Sequence, residues 1–526
     1  MFLRKIISVF TLVAASLVCV ASANAKVFYI SGTSTRTTGG TSCSDALSVA
    51  WFNEYTSWGT ASHQISAGTT IYLCGVFTGR ANEVLLTLRG SGTATEPIII
   101  KFLTGTVLTA PYWSGLGAIH MDNLSHIIVD GGTNGIIQNT ANGTGRAYHA
   151  NSIGVHGANC TSCTVQNLTI QNLYVRTSST DVGASASINC VYWHLANYFT
   201  INHITCHDAT WAIAGDGSNF TLENSNIYHV DHGVASGVVG KAGGYSIHNN
   251  HFHDFANWDS PTNTYHHDGV HLWGKNGATV TSGAIYNNTF DGDFGVNNTA
   301  HIFLQESIQH VSVYNNTLVS PLTRTINSVW LSASSTSMVG GPATGNSVYN
   351  NSINTGGHRA GTPIFADNQL QFTAVNNILS GGIADISIQH GTTFTSTGVN
   401  NNVYNDLFAD IGDRNTFGWK GTQTYALSTW RSWCRCDSYS KLITSAQSTA
   451  FSSVTGPEET TMGDTVNLDV VSSETTSDPA LALLTTVGEG NGINLSDIAV
   501  DDLAPLAFDK NGVARPASGP WNVGPF

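Results

Sequence analysis

Nine short segments of this chain line up on one template, and such a repeat limits the possible folds more than any composition does. The segments are VQNLTI (165–170), INHITC (201–206), LENSNI (222–227), IHNNHF (247–252), IYNNTF (285–290), VYNNTL (313–318), VYNNSI (348–353), AVNNIL (374–379) and VNNNVY (399–404). The pattern is apolar, any residue, Asn, a polar residue or Asn, any residue, apolar. From Ile201 the starts are 21, 25, 38, 28, 35, 26 and 25 residues apart. A period near 25 with insertions accounts for these steps.

Each repeat reads as one coil of a solenoid. A single coil cannot bury its own apolar face, but stacked coils can. The Asn at the turn tolerates a left-handed backbone and can bond to the Asn of the next coil. Asn249, Asn287, Asn315 and Asn350 are therefore expected to be ladder residues. Short period-2 runs and almost no helical periodicity across 98–404 point to strands. The earlier runs IIIKF (98–102) and HIIVDGG (126–132) extend the stack.

Each coil carries a second strand, as in DGVHLWG (268–274), AHIFLQE (300–306) and NSVWLSA (327–333). Placing Ala212, Val234, Val270, Ile302, Val329, Ile364 and Ile386 inward sends the next residue outward. That outward column is Ile213, Ala235, His271, Phe303, Trp330, Phe365 and Ser387. Two residues further along stand Trp273, Gln305, Ser332 and Asp367.

Residues 1–25 read as a secretory leader: Arg4 and Lys5, an apolar run, then Ala23-Asn24-Ala25, with cleavage after Ala25. The expected location is extracellular or periplasmic. Without Arg4 and Lys5, 18 basic residues (20 − 2) face 34 acidic ones, a mature charge of −16. That field disfavours nucleic acid and anionic membranes as partners. Nothing in the sequence calls for a partner chain, so a monomer is expected. Cys160-x-x-Cys163 reads as a structural bridge, and Cys190–Cys206 and Cys43–Cys74 are assumed pairs. The divisions expected are a cap at 26–97, the solenoid at 98–405 and a C-terminal extension at 406–526 packing on it.

On these repeats the chain resembles the right-handed parallel β-helix class typified by pectate lyases. The segments FGWKGTQTYALSTWRSWCRCDSYS (417–440) and FDKNGVARPASGPWNVGPF (508–526) resemble the ends of bacterial β-helix repeat proteins. In the latter, Asp509, Gly512, Arg515, Pro516 and Trp521 match the usual pattern. The resemblance implies an all-β, single-stranded right-handed solenoid. It does not fix activity, because the architecture hosts lyases, hydrolases, epimerases and non-catalytic modules.

The candidate site lies where the step is longest. The 38-residue step holds ANWDSPTNTYHH (256–267), read as a loop rising from the coil and running into TYHHDGVHLWG. One coil below lies YHVDHG (228–233). Asp231, Asp254 and Asp268, with His229, His232, His253, His267 and His271, should cluster on neighbouring coils. The expected catalytic set is Asp231, Asp254, Asp268, His232, His267, His271 and Tyr265. Trp273, Phe303 and Trp330 form a stripe for stacking sugars, with His253, Lys241, Lys275 and Gln305 as further substrate contacts. No cofactor is demanded; Asp231, Asp254 and Asp268 are the oxygen ligands that a Ca2+ ion would use.

Three functions follow from these residues. The first is hydrolysis of a polysaccharide by paired Asp residues as acid and base, which needs carboxylates on adjacent coils. The second is β-elimination on a uronate glycan such as pectate or alginate. Pectate lyases often use Arg or Lys as base, whereas 190–400 holds only Lys241, Lys275, Arg324 and Arg359. Tyr265, Asp268 and His271 loosely resemble the Tyr/Asp/His set of alginate epimerases and lyases. The third is a β-helix that binds glycan or acts in adhesion without catalysis.

Overall fold

The computed structural model describes residues 26–320 apart from 186 and 263, and 326–434 apart from 334–342, 356–360, 381–385, 390–391, 393–402, 405–406 and 410–416. Beyond these it describes 441–442, 509 and 513–515. The leader and the Ser/Thr-rich part of the extension lie outside the described residues.

The chain is a parallel β-helix with three strand ladders per coil. The first ladder begins with Val27–Ser31 and Thr70–Cys74 and runs through Tyr245–His248 to Val403–Tyr404. The second runs from Val76–Thr78 through His251–His253 to Lys441–Leu442. The third runs from Leu86–Thr87 through His267–Val280 to Phe417–Trp419. Stacking thus starts inside the segment read as a cap, which also contributes a short helix, Val49–Asn53. Near the C-terminal end a helix, Leu427–Cys434, lays Trp430 against Phe417, and Arg515 bonds to Asn315.

Inward columns fill the interior. Ile201, Leu222, Ile247, Ile285 and Val313 stack on the first ladder, and all are fully buried. Ile227, Phe252, Phe290 and Leu318 do so on the second, with the two Phe rings 4.8 Å apart. Each such side chain contributes about 1.5–3 kcal/mol by leaving water. The bridges Cys43–Cys74, Cys160–Cys163 and Cys190–Cys206 are formed.

The Asn positions divide their work. Asn249, Asn287, Asn315 and Asn350 hold the left-handed corner, with φ of 53–56°. The buried ladder is built by the next residue instead. Asn250 Nδ2 donates to Asn288 Oδ1, Asn288 to Asn316 and Asn316 to Asn351, each at 3.0 Å. The corner Asn is exposed at 249 and fully buried at 315 and 350, whereas the second Asn is buried on each of these coils.

On the third ladder Val234, Val270, Ile302, Val329, Ile364 and Ile386 point inward as expected. The expected register is one residue out at a single place. Ile213, not Ala212, pairs with Val234, so Ala214 rather than Ile213 precedes Ala235 in the outward column. Ala212, Ile213 and Ala214 are all buried, so alternation gave no phase there.

Candidate active site

The long insert is tied down rather than raised. Trp258 is fully buried and donates its ring N–H to the His229 carbonyl at 2.9 Å. Arg176, from an earlier coil, holds the carbonyls of Asp181 and Asp259 at 3.0 and 2.8 Å and bonds to that of Asn257. Its guanidinium also lies against the rings of Trp258 and Tyr265. This clamp fixes the entry of His266, His267 and Asp268 into the third ladder.

There a chain of alternating carboxylates and imidazoles forms. Asp259 Oδ1 lies 3.1 Å from His267 Nε2, and His267 Nδ1 lies 3.0 Å from Asp231 Oδ1. Asp231 Oδ2 lies 2.9 Å from His232 Nδ1, and His232 Nε2 lies 3.2 Å from Asp268 Oδ2. His266 Nδ1 is 3.2 Å and His271 Nδ1 3.4 Å from that same oxygen. The other Asp268 oxygen accepts the Ala300 N–H at 3.1 Å. His271 Nε2 meets Gln305 Oε1 at 3.1 Å.

His232 and His267 each face a carboxylate with both ring nitrogens. Only an imidazolium donates from both. Burial opposes the charge on His232, but Asp231 and Asp268 outweigh it and raise the group to about 10. His267 is raised in the same way by Asp231 and Asp259. Burial also works against ionising Asp268, yet His232 and His266 hold it well below the usual carboxylate range. Asp231 is lowered too, against its burial, by His232 and His267. His271 differs: burial dominates and pushes it down to about 4, so it is neutral at pH 7.

Of the chain, Asp231, His232, His267 and Asp268 are at most 3% exposed. His266 is the opening, with 47% of its side chain exposed. With Nδ1 on Asp268, its Nε2 is left to meet a ligand. His266 is not among the residues expected above, although it stands in the His266-His267-Asp268 run. Neither is Asp259, which closes the chain, nor Trp211, whose ring centre lies 5.4 Å from that of His232.

The aromatic stripe is present. Rings stack from His271 to Phe303 at 4.6 Å and on to Trp330 at 4.8 Å, and Trp273 lies 4.4 Å from His271. Gly237 makes room for Trp273: a Cβ there would come within 2.3 Å of the indole. Half-buried Trp211, Trp273, Trp330 and Phe365 line the face of this ladder.

Other expected members fall elsewhere. Asp254 sits at a left-handed corner (φ 55°) in a column with Asp208, His229 and Gly292. Its oxygens take the Asp293 N–H at 3.0 Å and His253 Nδ1 at 2.7 Å. His253 belongs to the second ladder, stacked between Tyr228 and His251. Tyr265 is buried, and its hydroxyl donates to the Ala184 carbonyl at 3.0 Å. Lys241 is exposed at the far end of its strand, opposite Thr279, lining a cavity of about 400 Å³ with Asp216. The Lys275 side chain lies outside the described residues.

A calcium site built from Asp231, Asp254 and Asp268 does not fit this arrangement. Calcium takes six to eight oxygens, whereas the first and last of these carboxylates are held by imidazoles and Asp254 faces another ladder. His232, His266 and Asp268 do bring one ligand atom each within 4.8 Å of one another. Among the described residues no helix is long and apolar enough to cross a membrane.

No protein-family model matches the chain, and no curated protein matches it. Solved structures are similar at low identity. The pectate lyase Pel9A is 13% identical, with a TM-score of 0.40 over 70% of this chain and 79% of that one. The PL6 family polysaccharide lyase Pedsa3628 from Pseudopedobacter saltans is 10% identical, with a TM-score of 0.38 over 73% and 90%. The Dettilon tailspike protein is 12% identical, with a TM-score of 0.33 over 62% and 60%. These likenesses concern the fold alone and carry no argument about chemistry.

Proposed function

We propose that the chain is an exported polysaccharide-degrading enzyme that cleaves a uronate-containing glycan by β-elimination, with His266 as the base. What carries the reading is the state of the carboxylates. A glycosidase needs a carboxylic acid kept protonated for the leaving group. Asp231 and Asp268 are buried, ionised and bonded on both oxygens. They orient imidazoles and have no proton to give. Hydrolysis by an Asp pair, the first reading from the sequence, therefore yields to the second.

In the elimination the sugar ring lies on the aromatic face near Trp273 and Phe303. Asp268 fixes the His266 ring, so the outer nitrogen takes the proton from the carbon beside the uronate carboxylate. The electron pair left behind forms a carbon–carbon double bond as the bond to the departing glycosidic oxygen breaks. That oxygen is protonated by water. The buried His232 imidazolium, whose ring lies 4.9 Å from that of His266, is spent on Asp231 and Asp268 and serves to hold Asp268 in place beneath the base. The disulfides fit an oxidising compartment, and we place the mature chain there as a monomer, after loss of residues 1–25.

The test is incubation with pectate, alginate and neutral glycans while following the ultraviolet absorbance of an unsaturated uronate. We expect a rise with a polyuronate and its loss in His266→Gln. Reducing ends without that absorbance would mean a hydrolase, and binding with neither signal a non-catalytic β-helix.

A further inference from the structure

A second group of ligand-type side chains stands on the third ladder, nearer its start. The outward column that carries His271 runs back through Ala235, Ala214 and Tyr192 to His156 and His120. Four strand steps of about 4.8 Å place His156 roughly 19 Å from His271 along the column. The group is thus separate from the Asp268 site.

We propose that His120, Asp122 and His156 form a binding site for a divalent transition metal ion of the zinc type. The ligand atoms are Nε2 of His120, Nδ1 of His156 and an oxygen of Asp122, and all three lie within 4.8 Å of one another. His120 Nε2 is 2.9 Å from Asp122 Oδ2, and His156 Nδ1 is 2.6 Å from Oδ1. Ligands about 2.0–2.2 Å from a tetrahedral ion stand roughly 3.3–3.6 Å apart, so a small opening of these contacts admits one.

A hydrogen-bonded pair explains His156 but not His120. Among the described residues, the buried Nε2 of His120 has no hydrogen-bond partner, although a carboxylate oxygen is close by. Its ring is misaligned for donation, and a buried polar atom left this way is destabilising. A shared cation satisfies that nitrogen and the carboxylate together. The surroundings are built to hold the ligands. Ala158 N–H donates to Asp122 at 2.8 Å, and Tyr192 lies against the His156 ring at 4.8 Å. Two imidazoles with one carboxylate select zinc, nickel or copper over calcium or magnesium. The side chains of His120 and Asp122 are 23% and 17% exposed, so an ion can enter and a further position faces solvent.

The test uses the mature chain without a histidine tag. Zn2+ is titrated by calorimetry, and Co2+ by its visible absorbance. We expect saturable binding that Asp122→Ala and His156→Ala each weaken by about 10–100-fold or more. His120→Gln, at the more exposed ligand, should act likewise and guards against misfolding of the buried variants. Zn2+ should raise the melting temperature of the parent but not of the three variants. His266→Gln, in the other His/Asp group, should leave the titration unchanged. Undiminished binding in Asp122→Ala and His120→Gln, dependence on His266 instead, or no saturable binding by the parent would each overturn the proposal.

Discussion

Two buried polar arrays run through this molecule, and they are built on opposite terms. The Asn ladder is neutral and recurs on successive coils. Asn250, Asn288 and Asn316 each donate Nδ2 to the Oδ1 of the next Asn, and the Oδ1 of Asn288, Asn316 and Asn351 accepts from the one before, with a backbone carbonyl such as that of Ile247 or Ile285 as second acceptor. The Asp–His chain spans residues 231–271 and carries alternating full charges. A neutral array that satisfies itself at every rung needs nothing but coil stacking. A charged array that ends on the half-exposed imidazole of His266 is organised towards something outside the chain.

The largest test of this contrast is Asp268→Asn. It leaves the His232 imidazolium without one partner, and breaking a buried pair costs about 3–5 kcal/mol. It also removes the group that orients His266. Removing a general base or its orientation costs about 10²–10⁴-fold in rate. We expect a loss of that order in kcat, measured on the folded fraction, together with a large fall in the denaturation midpoint. Retained kcat would separate the charged chain from function.

Asn316→Ala is the counterpart. It strips the acceptor from the Asn288 backbone and side-chain N–H groups. The expected cost is about 1–3 kcal/mol of stability, since buried donors are left unpaired. kcat should not move. An equal loss of kcat would mean that the two arrays are mechanically one.

pH separates the arrays again, because the Asn ladder does not titrate. His271, pushed down to about 4, contributes stability above its ordinary value of 6.5 and loses it as pH falls through about 4. His301, fully buried and pushed down to about 3, behaves the same way. His232, raised to about 10, contributes below 6.5, and that contribution is lost as pH rises through about 10. The melting temperature should therefore peak near neutrality and fall on both sides. In Asp268→Asn, which removes one of the two carboxylates that raise His232, the alkaline fall should be smaller and end at lower pH, whereas in Asn316→Ala both limbs should keep their positions. A flat profile in the parent would contradict the assigned charges.

The coils were legible in the sequence because stacking forces like onto like. The template fixed the corners, and period-2 alternation gave the columns from His271 to Ser387. The register slipped at Ala212–Ala214, where three small or apolar residues are buried in succession and alternation has no phase. At the candidate site, the clustering of Asp231, His232, His267, Asp268 and His271 is legible because they crowd two adjacent coils. Asp254 was drawn in by chain proximity, yet a left-handed corner turned it to another ladder. His266 was passed over because its exposure depends on the clamp by Arg176, ninety residues earlier in the chain (266 − 176 = 90). Spacing within a repeat does not encode such a contact.

Tyr265→Phe gives the smallest expected effect and sets the boundary of the charged chain. Tyr265 immediately precedes His266 and, from sequence, is as good a base. Its hydroxyl donates to the Ala184 carbonyl, and burial raises its pKa further from the working range. Removing one such bond costs about 0.5–1.5 kcal/mol. The ring packing against Trp258 and Arg176 survives the change, so the insert stays clamped. kcat and its pH profile should match the parent, with only a small drop in melting temperature. If kcat instead collapsed while the fold held, the proton would leave through the phenol, and His266 would be a positioning residue beside it.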